Sequence, residues 1–271
     1  MPRRGYAIQG GVPIASREPL PTRVEATPPL PAAYDDALRR GLIELGLELP
    51  AEARAAIDGH VRLLLAWTAA INLTAIREPG AVALDHVVDS LAGVAQIRSR
   101  GVGRLLDLGA GGGFPGLPIA AALPALEVAL LEPIAKKSRF LATAIGATGL
   151  AGRASAVTAR AEQLARDDGH RGRWPAVVAR AVASTADLVE LAFPLLTPGG
   201  SLIAWKRGDL AAELAAAGRA IAALGGGELG IVDVDVAGLD GHRLVVATRP
   251  DRSIVPVGYP RDPAIRRRRP W

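Results

Sequence analysis

A run of glycines at the junction of a strand and a helix constrains this chain more than any other feature. In LLDLGAGGGFPGLPIA, residues 105–120, Gly109, Gly111, Gly112, Gly113 and Gly116 fall within eight positions. Glycine gives up more backbone freedom on folding than any other residue. A cluster therefore works against stability unless the main chain must turn sharply or be approached closely there. The apolar run Leu105 to Leu108 enters the cluster as a strand, and apolar sequence resumes at Leu117 as a helix. Unpaired N–H groups and the positive helix end then face whatever the loop receives.

Further strands are expected at 128–132, 153–158, 176–180, 201–206, 230–236 and 243–248, with helices between the first six strands. Short apolar strands separated by helices imply a parallel sheet covered on both faces. Only AGLDGH separates the last two strands, too short for a crossover helix, so they should pair antiparallel. The fold class is α/β and Rossmann-like: a seven-stranded, mostly parallel sheet whose last strand is antiparallel, plus N-terminal helices. This α/β domain is expected over 101–250. Before it, 34–100 reads as a helical extension, with helices over 34–46, about 51–71 and roughly 82–97. Residues 1–33 are rich in proline and arginine without apolar periodicity and are expected to be a disordered tail. Residues 251–271 form a basic C-terminal tail ending in IRRRRPW.

Composition narrows the chemistry. The chain has no cysteine, which removes disulfides, thiolate metal sites and cysteine nucleophiles, and fits a reducing compartment. The histidines, His60, His86, His170 and His242, lack ligand spacing, so no metal is expected. Pro118, Pro124 and Glu127 interrupt the longest apolar stretch, and the N-terminus lacks a signal-peptide core. A cytoplasmic monomer without membrane contact is the expectation. The formal net charge of +5 favours a polyanionic partner.

The nature of the ligand follows from what flanks the glycines. Glu132 ends the second strand, where a carboxylate can accept hydrogen bonds from both hydroxyls of a ribose. A dinucleotide fingerprint G-x-G-x-x-G fails at Phe114, and a phosphate-binding P-loop would need a lysine that is missing here. What remains is Asp107-x-Gly109-x-Gly111-x-Gly113. An acidic residue beside the loop suits a cationic amine better than a pyrophosphate, which points to S-adenosylmethionine, with Asp107 near the amine and Glu132 on the ribose.

Several blocks then carry a resemblance: INLTAIREP (71–79), DHVVDSL (85–91), LLDLGAGGGFPGLPIA (105–120), LLEPIAKKSRFL (130–141), ARAEQL (159–164), ARAVAS (179–184), PLLTPGGSLIAWK (194–206) and YPRDPAIRRRRPW (259–271). In this order they resemble the bacterial RsmG (GidB) family, from about residue 34 to the end. Those enzymes methylate guanine N7 in 16S ribosomal RNA of the small ribosomal subunit, using S-adenosylmethionine. The family usually has a basic residue where this chain has Asp85, and its tail is lysine-rich rather than arginine-rich. The resemblance implies that Gly109 and Phe114 line the methionine side, Ala161 and Glu162 flank the adenine, and Arg180 reaches cofactor or substrate.

Guanine N7 carries an in-plane lone pair and no proton, so its attack on a sulfonium methyl needs alignment and no general base. For the target base, the candidates are Asn72, Arg77, His86, Asp89 and Ser90, with Arg180 from the fourth strand. His86, Asp89 and Ser90 stand at i, i+3 and i+4 and would share one helical face. Two other readings remain open: a nicotinamide-dependent oxidoreductase, and a non-catalytic RNA-binding protein of the same fold. Arg266, Arg267, Arg268 and Arg269 are expected on RNA phosphates. Replacing these four by glutamine should weaken RNA binding and flatten its salt dependence, measured by filter binding across a salt series; an unaltered slope contradicts that role.

Overall fold

The computed structural model describes residues 19–271. Before the sheet come α1 (Ala32–Glu44), α2 (Ala51–Ile71), α3 (Pro79–Ala81), a π-helical segment Val82–Val88, α4 (Asp89–Leu91) and α5 (Val94–Arg98). The strands are β1 (Arg104–Leu108), β2 (Glu127–Leu131), β3 (Ala154–Val157), β4 (Trp174–Arg180), β5 (Leu196–Arg207), β6 (Glu228–Asp233) and β7 (His242–Thr248). Between and after them lie α6 (Gly116–Ala122), α7 (Ala135–Ala147), α8 (Ala161–Leu164), α9 (Thr185–Ala192), α10 (Ala211–Ala223) and α11 (Pro263–Arg268).

The seven strands form one sheet in the order β3-β2-β1-β4-β5-β7-β6. Neighbours from β3 through β5 pair in parallel, whereas β7 pairs antiparallel with both β5 and β6. The short connection after β6 therefore makes the antiparallel pair expected of it, and β7 inserts between β5 and β6. One consequence matters for the site: the start of β7 lies at the same sheet edge as the carboxyl ends of the parallel strands.

Alternation along each strand divides the core. Leu105, Leu130, Val178 and Ile203 pack beneath α2, α6 and α7, together with Tyr34, Ile57, Leu64 and Phe140. Leu106, Leu131, Val177 and Leu202 pack on the opposite face, together with Phe193, Leu188 and Ile221. The N-terminal helices and one face of the sheet thus share a single core. Alternation also sends Asp107, between Leu106 and Leu108, to the face of the N-terminal helices.

Two expectations need correction. The segment anticipated as a disordered tail packs against α2 over its second half. Trp67 Nε1 donates to Pro21 O at 2.7 Å and Arg62 Nε to Pro28 O at 2.9 Å, while Arg62 also donates to Thr27 O. Thr27 itself is buried, and Leu20, Val24 and Leu30 lie against the core. Residues 1–18 lie outside the described residues. Between its prolines the segment makes only a short 3-10 turn, Val24–Ala26, and its carbonyls find donors on α2. Secondly, the single helix expected over 82–97 is wound as a π-helix through Val82–Val88 and breaks at Gly93. A Cβ on Gly93 would stand 2.4 Å from the Trp205 ring, so close approach to that indole requires glycine. Among the described residues, no helix is long and apolar enough to cross a membrane.

Trp67→Phe keeps the buried ring and removes the donor to Pro21. It is expected to cost about 1 kcal/mol in urea unfolding and to speed proteolysis within residues 19–31. A variant that matches the parent in both measurements would show that the strap is not held this way.

Candidate functional site

The glycine loop is shaped first by the protein itself. Gly109, Gly111 and Gly113 have φ of +78°, +54° and +91°, the left-handed region that side chains avoid. A Cβ on Gly109 would meet Val182 at 2.6 Å, and one on Gly113 would meet Leu117 at 2.6 Å and His60 at 2.8 Å. A Cβ on Gly116 would lie 2.6 Å from Asp107 Oδ2. Around Gly111 there is open space, with nothing nearer than Gly109 O at 3.8 Å. So the close approaches inferred from the glycines are made largely by neighbouring residues, and only Gly111 turns toward free volume.

That volume is a cavity of about 1380 Å³ at the carboxyl ends of β1, β2 and β4, the place where ligands bind in open α/β sheets. Gly109, Gly111, Phe114, Glu132, Ala161, Glu162 and Arg180 border it, and so do His86 and Asp89. Glu132 accepts from Gly111 N at 3.0 Å and from Ile134 N at 2.8 Å. Each of its oxygens retains a lone pair for a further donor.

Other expected residues stand elsewhere. Asp107 is fully buried under the loop, accepts from Gly116 N at 2.8 Å and does not border the cavity. Burial pushes its carboxyl up to about 7. It braces the start of α6, which corrects the placement beside a ligand amine. Gly113 lies behind the loop against His60. Ser90 is fully buried and donates to His86 O, so it presents nothing to a base. Its hydroxyl turns back to the carbonyl four residues earlier, as helical serines commonly do, instead of facing the cavity. Asn72 is the left-handed C-cap of α2, and Arg77 is exposed outside the cavity. Arg266 pairs with Glu162, whereas Arg267, Arg268 and Arg269 are exposed.

Part of the cavity wall is a hydrogen-bonded cluster around Asp89. Arg180 Nη1 donates to Asp89 Oδ2 at 2.8 Å and to Asp85 O at 2.9 Å. Its Nη2 lies 3.3 Å from His86 Nδ1. His242 Nδ1 lies 2.9 Å from Asp89 Oδ1, and Trp205 Nε1 donates to Asp89 O at 2.6 Å. The carboxylate expected to receive guanine N–H groups is thus already held by Arg180 and His242. The Phe114 ring sits between His86, stacked at 4.8 Å, and His60, tilted at 4.6 Å, with the Arg180 guanidinium 5.2 Å from its centroid. Burial pulls both His60 and His86 down to about 4, and Arg180 contributes to each shift. Both rings are neutral near pH 7. His86 then accepts from Arg180 through Nδ1 and donates from Nε2 to Thr74 Oγ1 at 2.7 Å.

His60, Trp205 and His242 had no signal in the sequence that tied them to the site. Nor did Lys206, which donates to Ala183 O at 2.6 Å and pairs with Glu213 at 2.5 Å. These contacts hold the turn after β4, where Ala181 adopts φ of +55°. A left-handed non-glycine residue beside Arg180 is strain of the kind found at functional sites. Among the described residues, no group of three His, Asp or Glu side chains is placed to hold a metal ion.

Comparison with known proteins follows the geometry. A family model described as rRNA small subunit methyltransferase G matches residues 54–237. A "Ribosomal RNA small subunit methyltransferase G" of Dehalococcoides mccartyi is 37% identical over 226 residues, covering 82% of this chain and 93% of that one. The protein of the same name from Rubrobacter xylanophilus is 37% identical over 239 residues, covering 87% and 90%. Among solved structures, an O-methyltransferase from Bacillus cereus in complex with SAH aligns with a TM-score of 0.55 at 15% identity, covering 80% of this chain and all of that one. That likeness shows the fold.

The buried histidines carry a pH signature. Between their ordinary value of 6.5 and about 4, the unfolded chain takes up protons that the folded chain refuses. Stability therefore falls as pH falls through that window. Asp107 acts in the opposite sense: raised from 3.8 to about 7, it favours the folded state most below 3.8 and loses that contribution as pH rises through 7. Two histidines outweigh one carboxyl. Urea unfolding between pH 6.5 and 4.5 should thus weaken with acidity, and His60→Gln should reduce that slope by about 1.4 kcal/mol per pH unit, whatever its effect on absolute stability. An unchanged slope would contradict the neutral buried ring.

Proposed function

The chain belongs to the rRNA small subunit methyltransferase G family, and we propose that it transfers the methyl group of S-adenosylmethionine to guanine N7 in 16S RNA of the small ribosomal subunit. Among observations on the site, the Glu132 carboxylate carries this reading: two main-chain N–H groups hold it, and it still borders the cavity with lone pairs free for two ribose hydroxyls. Gly111, bare and facing open volume, leaves room beside it. The residues present therefore fit the cofactor.

When bound, the cofactor supplies an electrophilic methyl group on a sulfonium. The chain's own residues have the remaining tasks. Gly109 and Phe114 line the methionine side, and Ala161 with Glu162 flanks the adenine. The His86, Phe114 and His60 stack gives a rigid wall, and Arg180, locked by Asp89, closes the end where the base enters. No side chain has to remove a proton, because N7 has none. Alignment and exclusion of water are enough to account for the catalytic demand. Guanine becomes cationic on methylation, and the Asp89 carboxylate offsets the Arg180 charge nearby. In this reading the protein acts as a cytoplasmic monomer on ribosomal RNA or on the assembled subunit. Neither a nicotinamide oxidoreductase nor a non-catalytic RNA-binding protein is favoured.

The test is transfer of a tritiated methyl group to small subunits from cells lacking the gene, followed by chemical mapping of N7-methylguanine in 16S RNA. A single labelled guanine is expected; label on a base edge other than N7, or none, rejects the reading. Glu132→Gln, which exchanges a charged acceptor for an amide, should weaken S-adenosylhomocysteine binding roughly 10- to 100-fold by calorimetry, the size of one charged hydrogen bond.

A further inference from the structure

We propose that the last residues of the chain, 261–271, form the outer wall of the cofactor's adenosine end, with Arg266 and Trp271 as cofactor-binding residues; this rests on the cavity taking S-adenosylmethionine. The segment is anchored at both ends to one carboxylate. Glu190 on α9 is completely buried. It accepts from Arg261 N at 2.7 Å, from Arg261 Nη2 at 2.6 Å and from Trp271 Nε1 at 2.7 Å. Arg261 further donates to Arg269 O at 3.0 Å, and its guanidinium lies 4.3 Å from the Trp271 ring centroid. Without the tail, Glu190 would be a buried charge lacking its cation, a costly state. A solvated tail would leave no such debt in the core.

Between the two anchors the chain arches over the cavity as α11, capped by Asp262, whose side chain accepts from Ala264 N at 2.8 Å. Pro263, Arg266, Arg267, Pro270 and Trp271 all border the same cavity as Glu132. Arg266 pairs with Glu162, the residue assigned to flank the adenine, and both side chains are nearly buried, 13% and 11% exposed. Arg266 Nε is buried and has no acceptor among the described residues. The Arg266 side chain itself borders the cavity, and its guanidinium N–H groups suit a ring nitrogen of adenine, which offers acceptors and no negative charge. The Trp271 ring carries Arg261 at 4.3 Å and the stacked Tyr259 ring at 6.1 Å, and it still borders the cavity, so the part left uncovered can close on a flat aromatic base. Of the four arginines expected on RNA, Arg266 is committed to the small-molecule end, and the exposed Arg267, Arg268 and Arg269 remain for phosphates.

The experiment uses the full chain and S-adenosylhomocysteine. Calorimetry on Arg266→Gln and Trp271→Ala should show affinity at least about tenfold weaker than the parent, and Arg219→Gln, exposed on α10 and away from the cavity, should match it. In a second measurement that needs no variant, trypsin cleavage after Arg267 and Arg268 in the parent protein should slow several-fold when S-adenosylhomocysteine is added. Unchanged affinity in both variants, or cleavage indifferent to the ligand, overturns the proposal. A parent that binds no S-adenosylhomocysteine rejects the methyltransferase reading instead, so the two failures are distinguishable.

Discussion

The grip of Gly111 and Ile134 N–H groups on the Glu132 carboxylate sets the geometry on which the rest of the cavity depends. Gly111 belongs to the loop after β1, and Ile134 to the turn after β2. One side chain thereby ties two adjacent strand ends together, and the same group faces the ligand. The main-chain bonds Gly109 N and Ala110 N to Leu131 O, at 2.9 and 3.0 Å, reinforce the link. Any movement of the loop would have to break charge-assisted bonds, which are stronger than neutral ones.

Features governed by local pattern were legible before the structure. The strand-to-helix glycine junction, Glu132 at a strand end and the short connection before β7 all depend on neighbours in sequence. The Asp89 cluster is different. Its members come from the π-helical segment, α4, β4, β5 and β7, which lie far apart in the chain. Helical spacing puts Ser90 near His86, but it does not reveal that the Ser90 hydroxyl is spent on the His86 carbonyl four residues back. Asp107 was misplaced for a comparable reason: its spacing from the glycines suggested a ligand, while strand alternation turned it toward the core.

The basic tail shows how composition can mislead about role. Four consecutive arginines read as a single cationic patch, yet their surroundings differ. A helical turn separates Arg266, turned toward Glu162, from exposed neighbours. A buried carboxylate on α9, invisible as a partner in the sequence, decides where the chain end lies. Likewise the proline-rich segment from residue 19 onward earned no helical or strand reading, because its order derives from donors on α2.

The crowding around Gly109, Gly113 and Gly116 has a thermodynamic meaning. Val182 and His60 crowd the left-handed Gly109 and Gly113, and Asp107 crowds Gly116, so the chain's own residues shape the loop. Association then need not purchase that conformation, and the entropy of arranging the receptor is settled during folding. Residues remote from any guest should therefore tune its affinity through the shape they impose on bare backbone.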